Sequence, residues 1–356
     1  MSGQEPRRRA GVVGTGLIGA SIGMALRARG WHVTGSDRDE DRSLQAMAAG
    51  ALDGVGADPE AEVTFVATPV SAVATAAGRA LAHGGLVTDV GSVKAPIVGA
   101  VDHPRFVGGH PMAGSEQEGV GGAHASLFQG ATWVLTPTAD TDPAAYTQVR
   151  AVVSTLGADV VALDPERHDS LVALVSHVPH LTAATLMCLA AQGAEEHAAL
   201  LRLAAGGFRD MTRIAAGHPG IWPDICAENR EAIVGALDRL RASLDGVRDL
   251  VAAGDRPGLL RWLEGARAAR TSLPGRVARP ESMVEVRVPV PDRPGVIAEV
   301  TTLAGELAVN IEDLEIAHSA EGDRGVLLLI VDTQVSDVLR QALAVRGFHP
   351  SLHSLA

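Results

Sequence analysis

Aromatic side chains are scarce: one Tyr, five Phe and four Trp stand among 356 residues. Aliphatic and alanine packing must therefore build most of any core. Cysteine is nearly absent. Cys188 and Cys226 sit in apolar or helical contexts without CxxC spacing, which excludes a disulfide framework and a thiolate metal site and fits a reducing cytoplasm. A cationic excess is missing too. The net charge of −12 argues against a nucleic-acid partner, which wants a basic face. It leaves room for an anionic substrate, which needs only a locally basic pocket. Long uncharged apolar runs are also lacking. Residues 10–26, preceded by Arg7, Arg8 and Arg9, resemble an export signal. Their Gly11, Gly14, Gly16, Gly19 and Gly23 are instead spaced as a turn inside a strand–turn–helix unit, and no small-residue cleavage site follows. No other segment offers the ~20 uncharged apolar residues of a membrane span, so no membrane partner is expected.

The length suits two or three domains. Residues 1–163 alternate short apolar strands (10–14, 32–36, 63–67, 86–89, 132–136, 159–162) with helices (16–29, 39–49, 70–83, 144–156). That alternation implies an α/β fold with a Rossmann-type doubly wound sheet. Residues 164–280 carry no convincing strand and read as an all-helical domain. Its helix 171–191 is apolar nearly all round and should be kinked by Pro179, and further helices cover 223–250 and 258–270. A Pro-, Gly- and Arg-rich linker covers 274–280. Residues 281–356 change character. Val284, Val286, Val288 and Val290 alternate with polar or proline positions, and the pattern that follows reads βαββαβ, a ferredoxin-like unit.

Gly14-Thr15-Gly16-Leu17-Ile18-Gly19 follows a strand and opens a helix, the context a dinucleotide turn requires. Gly14 permits the turn, Gly16 admits the pyrophosphate, and Gly19 lets helix and strand pack closely. The helix N-terminus offers free N–H groups to phosphates. Asp37 ends the second strand, where a carboxylate can accept from both ribose hydroxyls and repel a 2′-phosphate, favouring NAD over NADP. The adjacent Arg38 could stack on adenine or hold a phosphate.

Three further groups of residues carry chemistry. His110 lies among glycines and a proline at a strand end, a poor core position, and reads as an imidazole positioned in a cleft. His177 and His180 stand three apart on one helix face. No carboxylate or cysteine completes a metal motif there, so no metal is expected, and the pair reads as polar groups lining a cleft. Arg209 and Arg213 follow a glycine-marked helix start, and arginine suits bidentate carboxylate binding.

Six motifs in order carry a resemblance: the glycine turn, Ala67-Thr68-Pro69-Val70, Asp89-Val90-Gly91-Ser92-Val93-Lys94, Gly109-His110-Pro111-Met112-Ala113-Gly114-Ser115-Glu116, Ser176-His177-Val178-Pro179-His180, and Gly207-Phe208-Arg209-Asp210-Met211-Thr212-Arg213-Ile214-Ala215. Through them the chain resembles the prephenate dehydrogenase family across nearly its whole length. Residues 281–356 resemble an ACT domain, with Asp292-Arg293-Pro294-Gly295 at its ligand-binding turn.

The resemblance implies NAD-dependent oxidative decarboxylation of prephenate to 4-hydroxyphenylpyruvate, in tyrosine biosynthesis, by a cytoplasmic homodimer joined through the helical domain. It implies that His110 is the catalytic histidine and that Ser92 orients the substrate hydroxyl. His180, with His177 beside it, binds substrate, Arg213 holds a substrate carboxylate, and Glu116 and Asp210 gate or buttress the pocket, with Ser115 in the same motif. Thr68 and Pro69 join the glycine turn at the cofactor. Arogenate is the alternative substrate, since Glu116 could pair with its ammonium. A different class, a catalytically dead amino-acid sensor, sits poorly with an intact Ser92, His110 and Arg213. For the third domain the resemblance implies an aromatic amino-acid effector, tyrosine first, at Asp292, Arg293, Gly295, Val296 and Asn310, with Asp313 a further candidate for its ammonium.

Overall fold

Runs of β-branched and apolar residues become the strands of one eight-stranded sheet: β1 (Arg9–Val13), β2 (His32–Ser36), β3 (Gly54–Val55), β4 (Val63–Val66), β5 (Leu86–Asp89), β6 (Phe106–Pro111), β7 (Thr132–Thr136) and β8 (Asp159–Ala162). Their order is β3-β2-β1-β4-β5-β6-β7-β8. Every pairing is parallel except β6 with β7. The structure, a computed structural model, describes residues 7–114, 117, 119–196, 199–272, 283–291, 293–318 and 324–354. Ser115, Glu116, Asp292 and the linker 274–280 lie outside the described residues.

Helices cover both faces of the sheet. Ile22 and Leu26 of helix Leu17–Arg27 and Val149 and Val153 of helix Pro143–Thr155 pack on Val12, Val33, Phe65 and Trp133. On the other face, Val73, Ala77 and Leu81 of helix Val70–Leu81 and Ile97 of helix Ala95–Val101 meet Val66, Val87 and Phe106. The few aromatics are concentrated: Phe65, Phe128 and Trp133 form one buried ring cluster. The sequence places a strand end at Gly108–Glu116 without bounding the strand, which is β6, and it does not show the helix Ala95–Val101. In β6 the glycines of Phe-Val-Gly-Gly-His-Pro hide the strand pattern, yet all six residues are buried. Gly109 is needed there because a Cβ would lie 2.6 Å from the Asp89 carbonyl oxygen.

The expected helix 171–191 is really helix Pro165–Val172, a π-helical turn Ala173–His177, and helix Val178–Glu196. The three run on without a break, so Pro179 gives no N–H to the turn before it, and the π-helical irregularity lies immediately ahead of it, where the sequence places a kink. Likewise 223–250 is two helices, Trp222–Glu228 and Arg230–Ala252, broken at Asn229. Val93, Ala173, Val178, Ile225, Ile233 and Ala236 share a buried cluster. By length and composition the stretch Pro165–Glu195 would pass for a membrane span, against the sequence expectation. Its buried His168, Asp169 and His177, with Ala173 and Val178 in that cluster, pack its first half into the fold.

The chain divides into two compact units, Met1–Leu189 with Thr212–Leu244, and Ala190–Met211 with Asp245–Ala356. The second contains a four-stranded antiparallel sheet of β9 (Met283–Pro291), β10 (Ile311–His318), β11 (Arg324–Asp332) and β12 (Ser351–Ser354), ordered β10-β11-β9-β12. Helix Val296–Glu306 follows β9 and helix Thr333–Val345 follows β11. The alternating valines of β9 face inward: Val286 and Val288 are fully buried against Val300, Leu339 and Leu343.

Candidate active site

Two clefts open in the first unit beyond the carboxyl ends of parallel strands, where open α/β sheets place their ligands. The first, of about 710 Å³, is lined by Gly14, Gly16, Asp37, Arg38, Thr68 and Pro69. Gly14 has φ +92°, and a Cβ on Gly19 would lie 1.9 Å from the Gly14 carbonyl oxygen. Gly16 has nothing within 4 Å of where its Cβ would be, so the space above it is open to a ligand. It caps helix Leu17–Arg27 without a side-chain bond and without an acidic residue in the first turn, leaving N–H groups for an anion.

Asp37 is already held before any ribose arrives. Its Oδ2 accepts from the Thr15 N–H at 2.8 Å and its Oδ1 from the Asp39 N–H at 3.1 Å. Thr15 is fully buried and serves this turn from below, while Ile18 packs into the core beside Leu17 at the helix start. The Thr68 hydroxyl is buried without a hydrogen-bond partner. An open glycine cradle, a fixed carboxylate and an orphaned hydroxyl fit a dinucleotide. Arg42 and Arg79 line the cleft along with Arg38, and Asp37 is the only carboxylate among its described lining residues.

The second cleft, of about 350 Å³, is lined by Ser92, His110, Met112, Ser176, His177 and Trp222, among others. His110, near the end of β6, is 9% exposed. It is thus a buried strand residue with one face on a cavity, not a loop residue. Its Nδ1 lies 2.9 Å from His168 Nε2, and His168 Nδ1 lies 2.8 Å from Asp169 Oδ1. Asp169 also accepts from the N–H groups of Lys94 (2.8 Å) and Ala95 (2.9 Å), at the start of helix Ala95–Val101. A carboxylate occupied by N–H donors keeps the His168 proton on Nδ1. With its Nδ1–H turned to Asp169, the His168 ring has Nε2 to accept with, so His110 donates from Nδ1 and its own Nε2 carries the lone pair. Burial above all, with the Lys94 ammonium nearby, pushes His110 well below the usual histidine range, so it is neutral at pH 7.

Behind it, one buried ion pair clamps the peptide that precedes His110. Lys94 and Asp89 are both fully buried and bonded to each other. Lys94 Nζ donates to the Gly109 carbonyl at 2.7 Å, and Asp89 Oδ1 accepts the Gly109 N–H at 3.0 Å. Asp89 Oδ2 takes the Gly91 N–H at 2.8 Å, which fixes the turn bearing Ser92.

The structure thus brings Ser92, His110 and His177 to one cavity. His180 stacks on Trp222, ring centroids 3.7 Å apart, next to that lining. Arg213 opens the exposed turn Arg213–Ala216, and a Cβ on Gly217, just past it, would lie 3.9 Å from His180 Cε1. Asp210 is exposed in helix Gly206–Thr212 and belongs to the other compact unit. Sequence reasoning missed His168, Asp169, Asn229 and Trp222, and gave Lys94 no role. The adjacent His168-Asp169 pair was the one visible signal.

A dinucleotide cleft, with a buried imidazole–imidazole–carboxylate relay running from β6 to the helix Pro165–Val172, is the architecture of an NAD-dependent dehydrogenase. Residues 22–162 match the family described as prephenate dehydrogenase, nucleotide-binding domain, and residues 164–265 match prephenate dehydrogenase, dimerization domain. A prephenate dehydrogenase of Bacillus subtilis is 35% identical, over 89% of this chain and 90% of its own length. The solved prephenate dehydrogenase of Aquifex aeolicus, in complex with hydroxyphenyl propionate and NAD+, superposes with a TM-score of 0.70 at 29% identity, over 75% of this chain and 99% of that one. Synechocystis arogenate dehydrogenase gives 0.65 at 33% identity, over 74% and 98%. The chain belongs to the prephenate dehydrogenase family.

Proposed function

We propose that the chain oxidises and decarboxylates prephenate to 4-hydroxyphenylpyruvate, with His110 as general base. The observation that carries the reading is the His110–His168–Asp169 relay on the wall of a cavity that also holds Ser92. When bound, NAD supplies the two-electron acceptor for the carbinol C–H. The Ser92 hydroxyl orients the substrate hydroxyl, and His110 Nε2 takes its proton. The positive charge that forms is shared with His168 and faces Asp169. The ring ketone draws in the electron pair of the breaking bond to the carboxylate, carbon dioxide leaves, and a proton returns to the oxygen of the new phenol. Arg213, on the turn beside His180, holds the side-chain carboxylate. A cation on the ring carboxylate would oppose its loss as a neutral molecule.

Arogenate is the second substrate to test, given the 33% identity to the Synechocystis enzyme. Turnover of prephenate and arogenate, each with NAD and NADP, decides both questions. Preference for prephenate with NAD is the expected outcome, and turnover of neither substrate overturns the reading. A homodimer fits the apolar side chains left exposed on helix Val178–Glu196 and the π turn before it, where Val175 is 65% and Leu189 59% exposed. The cytoplasm is the proposed compartment.

The β9–β12 unit reads as a ferredoxin-like ACT domain, because its order strand–helix–strand–strand–helix–strand closes into the sheet β10-β11-β9-β12. Gly295, with φ +87°, caps helix Val296–Glu306 without a side-chain bond, so its turn offers N–H groups to a carboxylate. Arg293 pairs with Glu299 at 2.6 Å, and Asn310 bonds to Glu312 at 2.5 Å. Tyrosine is the proposed effector. Inhibition by tyrosine should be lost on truncation after Arg279, and inhibition of equal strength without the domain would contradict this role.

A further inference from the structure

The catalytic cleft has one polar nitrogen that the relay does not use. His177, at the end of the π-helical turn, is 1% exposed, and its Nε2 is buried without a hydrogen-bond partner although the residue lines the cleft. Leaving a buried N–H unpaired is costly, and such a group in a cavity wall calls for a partner. Its other nitrogen is accounted for. Asn229, 4% exposed at the break between helices Trp222–Glu228 and Arg230–Ala252, places Nδ2 3.3 Å from His177 Nδ1 and 3.0 Å from the Asp169 carbonyl oxygen. An amide nitrogen has two hydrogens and no lone pair to share. One hydrogen goes to the carbonyl and the other to Nδ1, which must therefore accept. The ring proton of neutral His177 is left on Nε2.

We propose that Asn229 is a positioning residue that fixes His177 as the Nε2–H tautomer, and that this N–H donates to a carboxylate oxygen of the substrate in the cleft. The inference rests on the reading of the cleft as the prephenate site. Burial, opposed by Asp169 and reinforced by His168, lowers His177 to about 4, so the donor is uncharged at neutral pH. The cleft then presents two neutral imidazoles of opposite sense, His110 accepting at Nε2 and His177 donating at Nε2. None of its described lining residues is Arg or Lys. Neutral donors suit a carboxylate that must leave as carbon dioxide, since they orient the anion without the hold of a cation.

The test joins nitrogen NMR of the full-length, 15N-histidine-labelled enzyme to kinetics with prephenate and NAD. The wild type should show His177 protonated at Nε2 only, and prephenate should shift that resonance. Asn229→Leu should lose the single tautomer and raise KM for prephenate roughly tenfold, with a much smaller change in kcat. His177→Gln, whose amide N–H can stand where Nε2–H stood, should keep KM closer to wild type than His177→Leu by about the same factor. Protonation at Nδ1 in the wild type overturns the proposal, and so does a Gln variant no better than Leu, which would leave Nε2–H a packing feature against Trp222, whose ring lies 6.0 Å away edge-on. A wild type that does not turn over prephenate overturns the functional reading instead, while the tautomer still reports on Asn229.

Discussion

The two clefts of the first unit are built by different means. The dinucleotide cleft is backbone work: a positive-φ glycine, an open glycine and a helix end, with Asp37 held by main-chain N–H groups. The catalytic cleft is side-chain work: His110, the adjacent His168 and Asp169, Asn229 and His177 come from β6, one helix, a helix break and a π turn, and are brought together by the fold. A backbone site is written in consecutive residues and tolerates few substitutions of shape. A side-chain network is dispersed, and it tolerates few substitutions of hydrogen-bonding sense.

The largest expected effect lies in the network. His110→Asn should lower kcat by ~10²–10⁴-fold, the usual contribution of a general base, with the NAD dissociation constant within about twofold of wild type. Turnover within a few-fold of wild type would remove His110 from the mechanism. The next effect separates shape from stability in the backbone cleft. Gly16→Ala meets no protein atom, so the melting temperature should hold while the KM for NAD rises about tenfold. Gly19→Ala collides with the Gly14 carbonyl and should lower the melting temperature itself. Equal melting temperatures for the two variants would break the contrast. The smallest effect is one of selection: Asp37→Ser should narrow the preference for NAD over NADP by a few-fold, because Arg38, Arg42 and Arg79 already line that cleft. An unchanged ratio of kcat/KM for the two cofactors would show that Asp37 does not set the preference.

Legibility in the sequence follows the same division. Gly14, Gly16, Gly19 and Asp37 were readable because a turn and a strand end fix their spacing along the chain. The sheet strands with β-branched runs were readable for the same reason, and so were the alternating valines of β9. The bounds of strand β6 were not, because Gly108 and Gly109 are there to admit Thr136, Thr88 and the Asp89 backbone, a demand imposed by neighbours remote in sequence. His110 could be singled out, but its partner His168 lies 58 residues away. Asn229 leaves no local trace except a helix break, and its role appears only once Asp169 and His177 are brought beside it. Arg213 could be singled out by residue type as a candidate for a carboxylate, while the place of its turn near His180 depends on how Arg213–Ala216 packs.

The central claim is that burial and the relay keep His110 a neutral base, and the pH dependence of kcat/KM for prephenate at saturating NAD tests it most directly. The base works unprotonated, and its proton affinity is lowered in the fold, so the active form persists below the ordinary histidine value of 6.5. The rate constant should therefore stay level from pH 8 down through 6.5 and fall only at more acid pH, as the lowered group at last takes up a proton. A decline centred near 6.5 would mean an imidazole in ordinary water-like surroundings and would contradict the account.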